Sequence, residues 1–564
     1  MIRADTLIDA LNRAPADRPF ITFWSNEDEQ ETVTFGEFRQ RALLQSEWLA
    51  QEGVGAGDRL VIIMLPGIAA MTTFTAAMMI GAVPAFLAYP NFKVEPSKYR
   101  FGLAGVTAGL SAKAVVIDGE FPDEMLSSIA LSDGTKLLRA PAPPAEGASE
   151  KTRREHPGVE SHTLAFIQHS AGTTGLQKGV ALSHTAVLRQ LEYLAQALKI
   201  DGASDCIYSW LPLYHDMGLI ACFMLPMTYH TPIVMQSPLD WVMRPESMLQ
   251  IITQYKCTLG WMPNFAFQFV PRRTPQYRWP DYDLSSLRLL INCSEPVRAG
   301  SMLEFQKAFS LPTRVLQSSY AMAENVFAVT QTDIDHGPAT LWADAQPFRS
   351  AHRIVRVAET SAAAIPFTSS GRLLPNQQLQ IVSEDGAILE GDRVGEILIK
   401  SDCLFDGYYN RPDLTAKVII DGWYHTGDLG FCSDGELYVV GRKKDLLIVG
   451  GENIYPQDIE EIVSSHAAIH DGRVIAMGLY NPDLGTEDVV VVAEVESESW
   501  LTNAAELERE IRAQIVATLG LAVRSIMLKP PKWIVKSTAG KAARSATREK
   551  LLREHPELGA EAQI

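Results

Sequence analysis

A chain of 564 residues has room for more than one domain and for large buried cores. Its 46% hydrophobic and 21% charged residues are ordinary for a soluble globular protein. A net charge of −17 argues against a broad surface for nucleic acid or anionic membrane, and still leaves room for a local basic patch. The opening MIRADTLIDALNRAPADRPF carries charges throughout and lacks the apolar core of a secretory signal. From Leu60 to Tyr89 no residue is charged, long enough for a membrane helix. Pro66, Gly67, Gly81 and Pro84 interrupt it. The spacing predicts a strand over Leu60–Met64, a packed helix around Ala69–Met79 and a second strand over Ala82–Leu87, a β-α-β unit of a buried parallel sheet. No membrane span is expected.

Further along, Arg139–Glu160 is rich in Pro, Ala and charge and reads as an exposed connector. Leu164–Gln168 reads as a strand. Thr185 is expected to cap a helix with Val187, Leu188, Leu191, Leu194 and Leu198 on one face. The intervening HSAGTTGLQKGVALSH, His169–His184, is then a strand-to-helix loop, the usual setting for an anion. It is not a Walker A loop, because Gln177 precedes Lys178 and Gly179 follows it. A Gly-rich turn whose hydroxyls satisfy their own backbone is the other reading. None of the six cysteines forms a CxxC pair or a zinc-spaced cluster, which fits a reducing, cytoplasmic setting.

The ordered motifs resemble the adenylate-forming superfamily: acyl-CoA synthetases, peptide-synthetase adenylation domains, fatty acyl-AMP ligases and luciferases. The loop Ser170–Gly179 resembles the family's phosphate loop, with Gln177 where proline is usual. LPLYHDMGL (Leu211–Leu219), NCSEPV (Asn292–Val297), SSYAMAEN (Ser318–Asn325), WYHTGDLG (Trp423–Gly430), Gly441–Glu461 and KSTAGKAAR (Lys536–Arg544) follow in the family's order. The resemblance implies an α/β fold. Residues 1–441 would form a large N-terminal domain of two packed α/β subdomains and a small β-barrel subdomain. Residues 442–564 would form a small mobile α+β lid, hinged near Lys444.

The chemistry so implied joins two anions, a carboxylate and the α-phosphate of ATP, so charge on the phosphate oxygens needs fixed donors. By resemblance Ser170, Thr173, Thr174 and Lys178 hold the β- and γ-phosphates, and Glu324 binds Mg²⁺ as a hard oxygen ligand. Tyr320, beside Ser319, stacks on the adenine, with Ser294, Glu295 and Pro296 lining its other side. Asp428, read as following Gly427 in a turn, takes the ribose hydroxyls with Arg442. Lys541 reaches the carboxylate and α-phosphate, while nearby Lys536 reads as a solvated lysine. Ala321 replaces a usual glycine, a strain if the position demands positive φ.

The acyl site is expected beside His215, where an amino-acid-activating domain usually carries an acidic residue, although Asp216 is adjacent. WMPNFAFQF (Trp261–Phe269), with Trp261, Asn264 and Phe265, reads either as a pocket for an alkyl or aryl acid or as core. Met217, Met224 and Met227 read equally as core or pocket. LPLYHDMGL, PNFAF and SEPVRA resemble fatty acyl-AMP ligases most. The segment Thr332–Thr368, read as polar and irregular, could hold the insertion those enzymes carry. The implied function is adenylation of a hydrophobic acid, then transfer to the thiol of an acyl carrier protein. A CoA ligase is the alternative. Amino-acid adenylation, a silent adenylate-binding homologue and a luciferase-type oxygenase are further ones.

Overall fold

Unbroken apolar runs bounded by Gly and Pro are what strands covered on both faces require. In the computed structural model, which describes residues 4–25, 30–90, 96–119, 121–141, 159–169, 178–449, 452–481, 486–536 and 542–558, Arg59–Ile63 pairs in parallel with Val83–Phe86 across the helix Ile68–Met79. Ala114–Ile117 and Lys136–Arg139 complete a four-stranded parallel sheet. The uncharged stretch is therefore a strand-helix-strand unit, and no helix among the described residues is long and apolar enough to cross a membrane. Most of the predicted connector, residues 142–158, lies outside the described residues.

A second sheet has seven strands, in the order 316–318, 289–292, 259–262, 207–209, 233–235, 19–24, 30–34. All neighbours are parallel except the last pair. A five-stranded antiparallel sheet follows, built on Gln378–Val382, Gly395–Lys400, Trp423–Ser433 and Glu436–Arg442; it stands where a small barrel was expected. Beyond it, Ile469–Asn481, Thr486–Val495 and Ser525–Lys529 form a sheet with its own apolar core, from Leu447 to Ile526.

Three local readings change. Gly179–Ser183 is a strand antiparallel to Leu164–His169, so residues 170–177 connect two paired strands rather than a strand and a helix. Val180 and Leu182 are fully buried, and that burial extends the β-structure past Lys178. The helix His184–Ala197 is capped by Ser183, whose extended backbone lets its hydroxyl accept from the Ala186 N–H at 3.3 Å. Thr185 instead donates to the Ser161 carbonyl at 2.9 Å. Thr332–Thr368 is also ordered: Thr340–Asp344 pairs with Ala364–Thr368, and the helix Ala345–Ala351 lies between. Leu341, Ala343 and Phe348 are buried, which supplies the apolar face that its polar composition hid.

His184 accepts the Leu7 N–H on Nδ1 at 3.3 Å and joins the helix Leu7–Asn12 to this unit. The imidazole is 1% exposed, and burial pushes its pKa down from 6.5 to about 4. With the folded pKa below the unfolded one, its neutral form adds stability above pH 6.5 that is lost as pH falls towards 4, on the order of 3 kcal/mol. His184→Asn keeps an acceptor that does not protonate. We expect it to flatten the fall in urea midpoint between pH 6.5 and 4; an undiminished slope would place the acid sensitivity elsewhere, for instance at buried His169.

Candidate active site

Parallel neighbours start and stop together, so the segments after five strands of the seven-stranded sheet meet along one edge. Trp210 follows 207–209, Trp241 lies in the helix after 233–235, and Asn264 and Phe265 follow 259–262. Ser294–Pro296 follow 289–292, and Ser319 and Tyr320 follow 316–318. Asn264 is a tie between these segments. Its Oδ1 accepts from Asn292 Nδ2 at 2.9 Å and the Arg298 N–H at 3.0 Å, and its Nδ2 donates to Ser301 Oγ at 3.1 Å. Glu295 accepts the Phe265 N–H at 3.1 Å, Ser294 holds φ +71°, and Pro296 is exposed. Ser319 donates to the Thr330 carbonyl at 2.7 Å, a scaffold bond.

Asp428 sits inside the Trp423–Ser433 strand, not in a turn, opposite Arg442. Gly427 bends the strand there with φ +71°. The carboxylate is 9% exposed. Its Oδ2 accepts the Tyr320 hydroxyl at 2.6 Å, and its Oδ1 lies 3.2 Å from Arg442 Nε. Burial pushes the Asp428 carboxyl up, while Arg442 and the Tyr320 hydroxyl act against it. Burial and the facing Asp428 carboxylate hold Tyr320 far above the usual phenol range, so it is a neutral donor. Ala321 pairs in a bridge with Ala328 and does not take positive φ, so it carries no strain.

Glu324 and Lys178 meet through Tyr408. The Tyr408 hydroxyl donates to Glu324 Oε1 at 2.8 Å, and Lys178 Nζ lies 4.5 Å from the centre of the same ring, a cation–π contact. Tyr408 pairs with Val180, so the strand after Lys178 places it. Nothing in DGYYN separates Tyr408 from Tyr409, and the sequence reading missed it; only the pairing identifies it. Beside Glu324, Val326 has φ +62° and ψ −53°, and the Phe327 N–H donates to the Asn325 carbonyl at 2.7 Å. This is a γ-turn of the rare kind, at a β-branched residue where it is a clear outlier. Such strain persists where the surroundings over-determine it.

His215 Nδ1 lies 2.6 Å from Asp216 Oδ1, which also accepts the Met217 N–H at 2.8 Å. Asp216 is thus committed at the head of a buried π-helix, Met217–Met224. Gly218 permits that winding, since a Cβ there would lie 2.3 Å from the Pro212 carbonyl oxygen. Met217, Met224 and Met227 are core, as is Trp261 in its strand. The aromatic cluster on this edge is instead Trp210 stacked on Trp241 at 3.6 Å, both buried, with Phe265, 37% exposed, edge-on to both. Trp210 and Trp241, far apart in sequence, were not anticipated.

Ser170, Thr173, Thr174 and Lys541 lie outside the described residues. Lys444 is in the exposed turn Lys443–Asp445 that follows Arg442. Beyond it, Glu461 pairs with Arg298 at 2.7 Å and Asp471 with Arg272 at 3.2 Å. Tyr455 stacks on Phe348 of the 340–368 hairpin at 5.2 Å.

Tyr320→Phe removes a hydrogen bond to a buried carboxylate, so we expect a loss of about 2 kcal/mol in urea unfolding. Arg442→Ala removes a guanidinium that is 56% exposed and should change stability by less than about 1 kcal/mol. Equal losses would mean that Arg442 satisfies Asp428 as much as Tyr320 does.

Known proteins place this geometry. Long-chain-fatty-acid–AMP ligase FadD28 of Mycobacterium tuberculosis is 28% identical, over 94% of this chain and 94% of its own. A 4-hydroxyphenylalkanoate adenylyltransferase of Mycobacterium marinum is 28% identical, over 97% of this chain and 91% of its own. A structure from a study of fatty acyl-adenylate ligases of E. coli and L. pneumophila superposes with a TM-score of 0.87 at 25% identity, covering 98% of both chains. A fatty acyl-adenylate ligase from L. pneumophila, in complex with acyl adenylate and pyrophosphate, has a TM-score of 0.73 at 26% identity, over 98% of this chain and 96% of its own. The family profile described as AMP-binding enzyme matches residues 8–409, well over half the sequence, and the chain belongs to that family.

Proposed function

We propose that the chain adenylates a hydrophobic carboxylic acid with MgATP, releases pyrophosphate and transfers the acyl group to the thiol of an acyl carrier protein. The observation that carries this reading is the pairing of Asp428 with Tyr320 and Arg442, on the edge where Phe265 stands exposed beside the buried Trp210–Trp241 stack. The pairing suits a ribose and a base, and the exposed Phe265 suits an apolar tail. In this reading Asp428 accepts from the ribose hydroxyls, Arg442 stands beside it, and Tyr320 lies against the adenine, with Ser294–Pro296 on its other side. Lys178 and the hydroxyls of Ser170, Thr173 and Thr174 hold the outer phosphates. Lys541 neutralises charge between the two reacting anions.

The donor set suits Mg²⁺. No group of three or more His, Cys, Asp or Glu that could hold a metal occurs among the described residues. Glu324 is a lone carboxylate, oriented by Tyr408. Mg²⁺ is usually held by one or two carboxylates with substrate phosphates completing the shell. When bound, the ion would offset charge on those phosphates. The engagement of Asp216 with His215 and the Met217 N–H leaves it badly placed to pair with a substrate amine, which supports a plain acid over an amino acid. His215 would border the acyl site. In this reading Thr332–Thr368, with its paired strands Thr340–Asp344 and Ala364–Thr368, would be the insertion expected of fatty acyl-AMP ligases. The two domains would divide at residues 441 and 442, with the lid turning at Lys444. None of the six cysteines is in a disulfide, which accords with a cytoplasmic enzyme.

Acid-dependent ATP–pyrophosphate exchange over fatty, aryl and amino acids tests this. We expect exchange with one apolar class, reduced by roughly 10²–10³-fold in Lys541→Ala. Mass spectrometry of the thioester then separates carrier protein from CoA. Folded protein that binds ATP but exchanges with no acid would overturn the reading.

A further inference from the structure

The stretch Arg524–Arg553 holds nine lysines and arginines and one acidic residue, Glu549. It carries +8 in a chain of −17, so the remaining residues carry −25. Segregation on this scale shapes the field around a protein and the partners it admits.

The fold turns part of this charge inward and presents the rest. Arg544 is directed onto Glu460, and Arg524 onto Asp488. The remaining groups gather around Trp533, where the Lys529 side chain is only 17% exposed and Lys550 is half-buried. Lys529 Nζ and Lys550 Nζ lie 4.8 and 4.2 Å from the centre of its ring. Lys550 also donates to the Trp533 carbonyl at 2.8 Å, and the indole N–H donates to Glu554 at 3.2 Å. The helix Arg544–Glu554 buries Thr547 and Leu551, which leaves Lys550 and Arg553, three residues apart, on one side. Lys532 and Arg553 are exposed and form no ion pair among the described residues. Glu554, near Lys529 at 3.9 Å, and Glu557, on His555, are the acidic groups at the rim.

We infer that this face, Lys529, Lys532, Trp533, Lys550 and Arg553, docks an acidic acyl carrier protein. The inference rests on the proposal that a carrier protein is the acceptor. The net −25 of the remaining residues disfavours an acidic partner over the rest of the chain. The charges are spread over a strand end, a loop and a helix, a footprint for a macromolecule rather than for one phosphate. A half-buried tryptophan among cations is the composition of a docking centre. A bilayer would call for apolar side chains free to insert, and Leu551 is buried. A bridge joins Lys536 and Ala542, and the Ala543 N–H donates to the Val535 carbonyl at 2.8 Å, which ties the loop of Trp533 to the start of the helix Arg544–Glu554.

The test is the double variant Lys532→Glu/Arg553→Glu in the full-length enzyme, with a phosphopantetheinylated acidic carrier protein, free CoA and free pantetheine as acceptors. We expect unchanged ATP–pyrophosphate exchange and a KM for the carrier raised roughly tenfold, a gap that closes as salt rises. Transfer to the small thiols, where measurable, stays as in wild type. An unchanged carrier KM overturns the docking face alone. So does an equal loss with the small thiols, or a loss confined to binding of phosphatidylglycerol vesicles. Wild-type enzyme that forms acyl-CoA and loads no carrier overturns the proposed acceptor, and the docking face with it.

Discussion

A carboxylate held away from water has to be paired, and Asp428 is paired from two directions. Arg442 reaches it along the antiparallel sheet, and Tyr320 reaches it from the end of the seven-stranded sheet. A shift of one sheet against the other breaks the Tyr320 bond and leaves the buried carboxylate with Arg442 alone. The same bonds fix where Tyr320 stands relative to Ser294–Pro296, so the register between two sheets becomes the register of the site. Because the hydroxyl is a neutral donor and the guanidinium a permanent cation, the arrangement holds over a wide pH range.

Around Glu324 the solution is strain rather than charge. The γ-turn at Val326 costs backbone energy, and a dense set of bonds holds it. The Glu324 carbonyl accepts from the Phe405 N–H, Asn325 donates to the Ala328 carbonyl and accepts from Ser401, and Tyr408 bonds the carboxylate. Lys178 over the Tyr408 ring then keeps a cation near the carboxylate without a direct ion pair, so neither charge is neutralised by the other.

The C-terminal segment has its own core, yet it touches the large domain through ion pairs at Arg298 and Arg272 and through Tyr455 on the 340–368 hairpin. Exposed ion pairs are individually weak. A few of them, with one aromatic stack, make an interface that is specific in orientation and modest in energy. Such an interface would suit the turning lid proposed above. The helix in that hairpin also reaches across, with Arg349 donating to the Leu519 carbonyl.

Motif order carried the family and the candidate residues Glu324, Asp428 and Arg442, while apolar runs broken by Pro and Gly carried the parallel β-α-β reading of an uncharged stretch that mimicked a membrane span. These were legible because they depend on local spacing and residue chemistry. The N-cap at Ser183, the strand that carries Gly179, the strand setting of Asp428 and the order within 340–368 were not, because each is decided by a partner strand far along the chain. Tyr408, Trp210 and Trp241 were missed for the same reason. The sequence by itself determined which groups are present and what chemistry they can do. Only the tertiary structure decided which of them meet, because burial and strand pairing act between residues that composition and spacing leave unconnected.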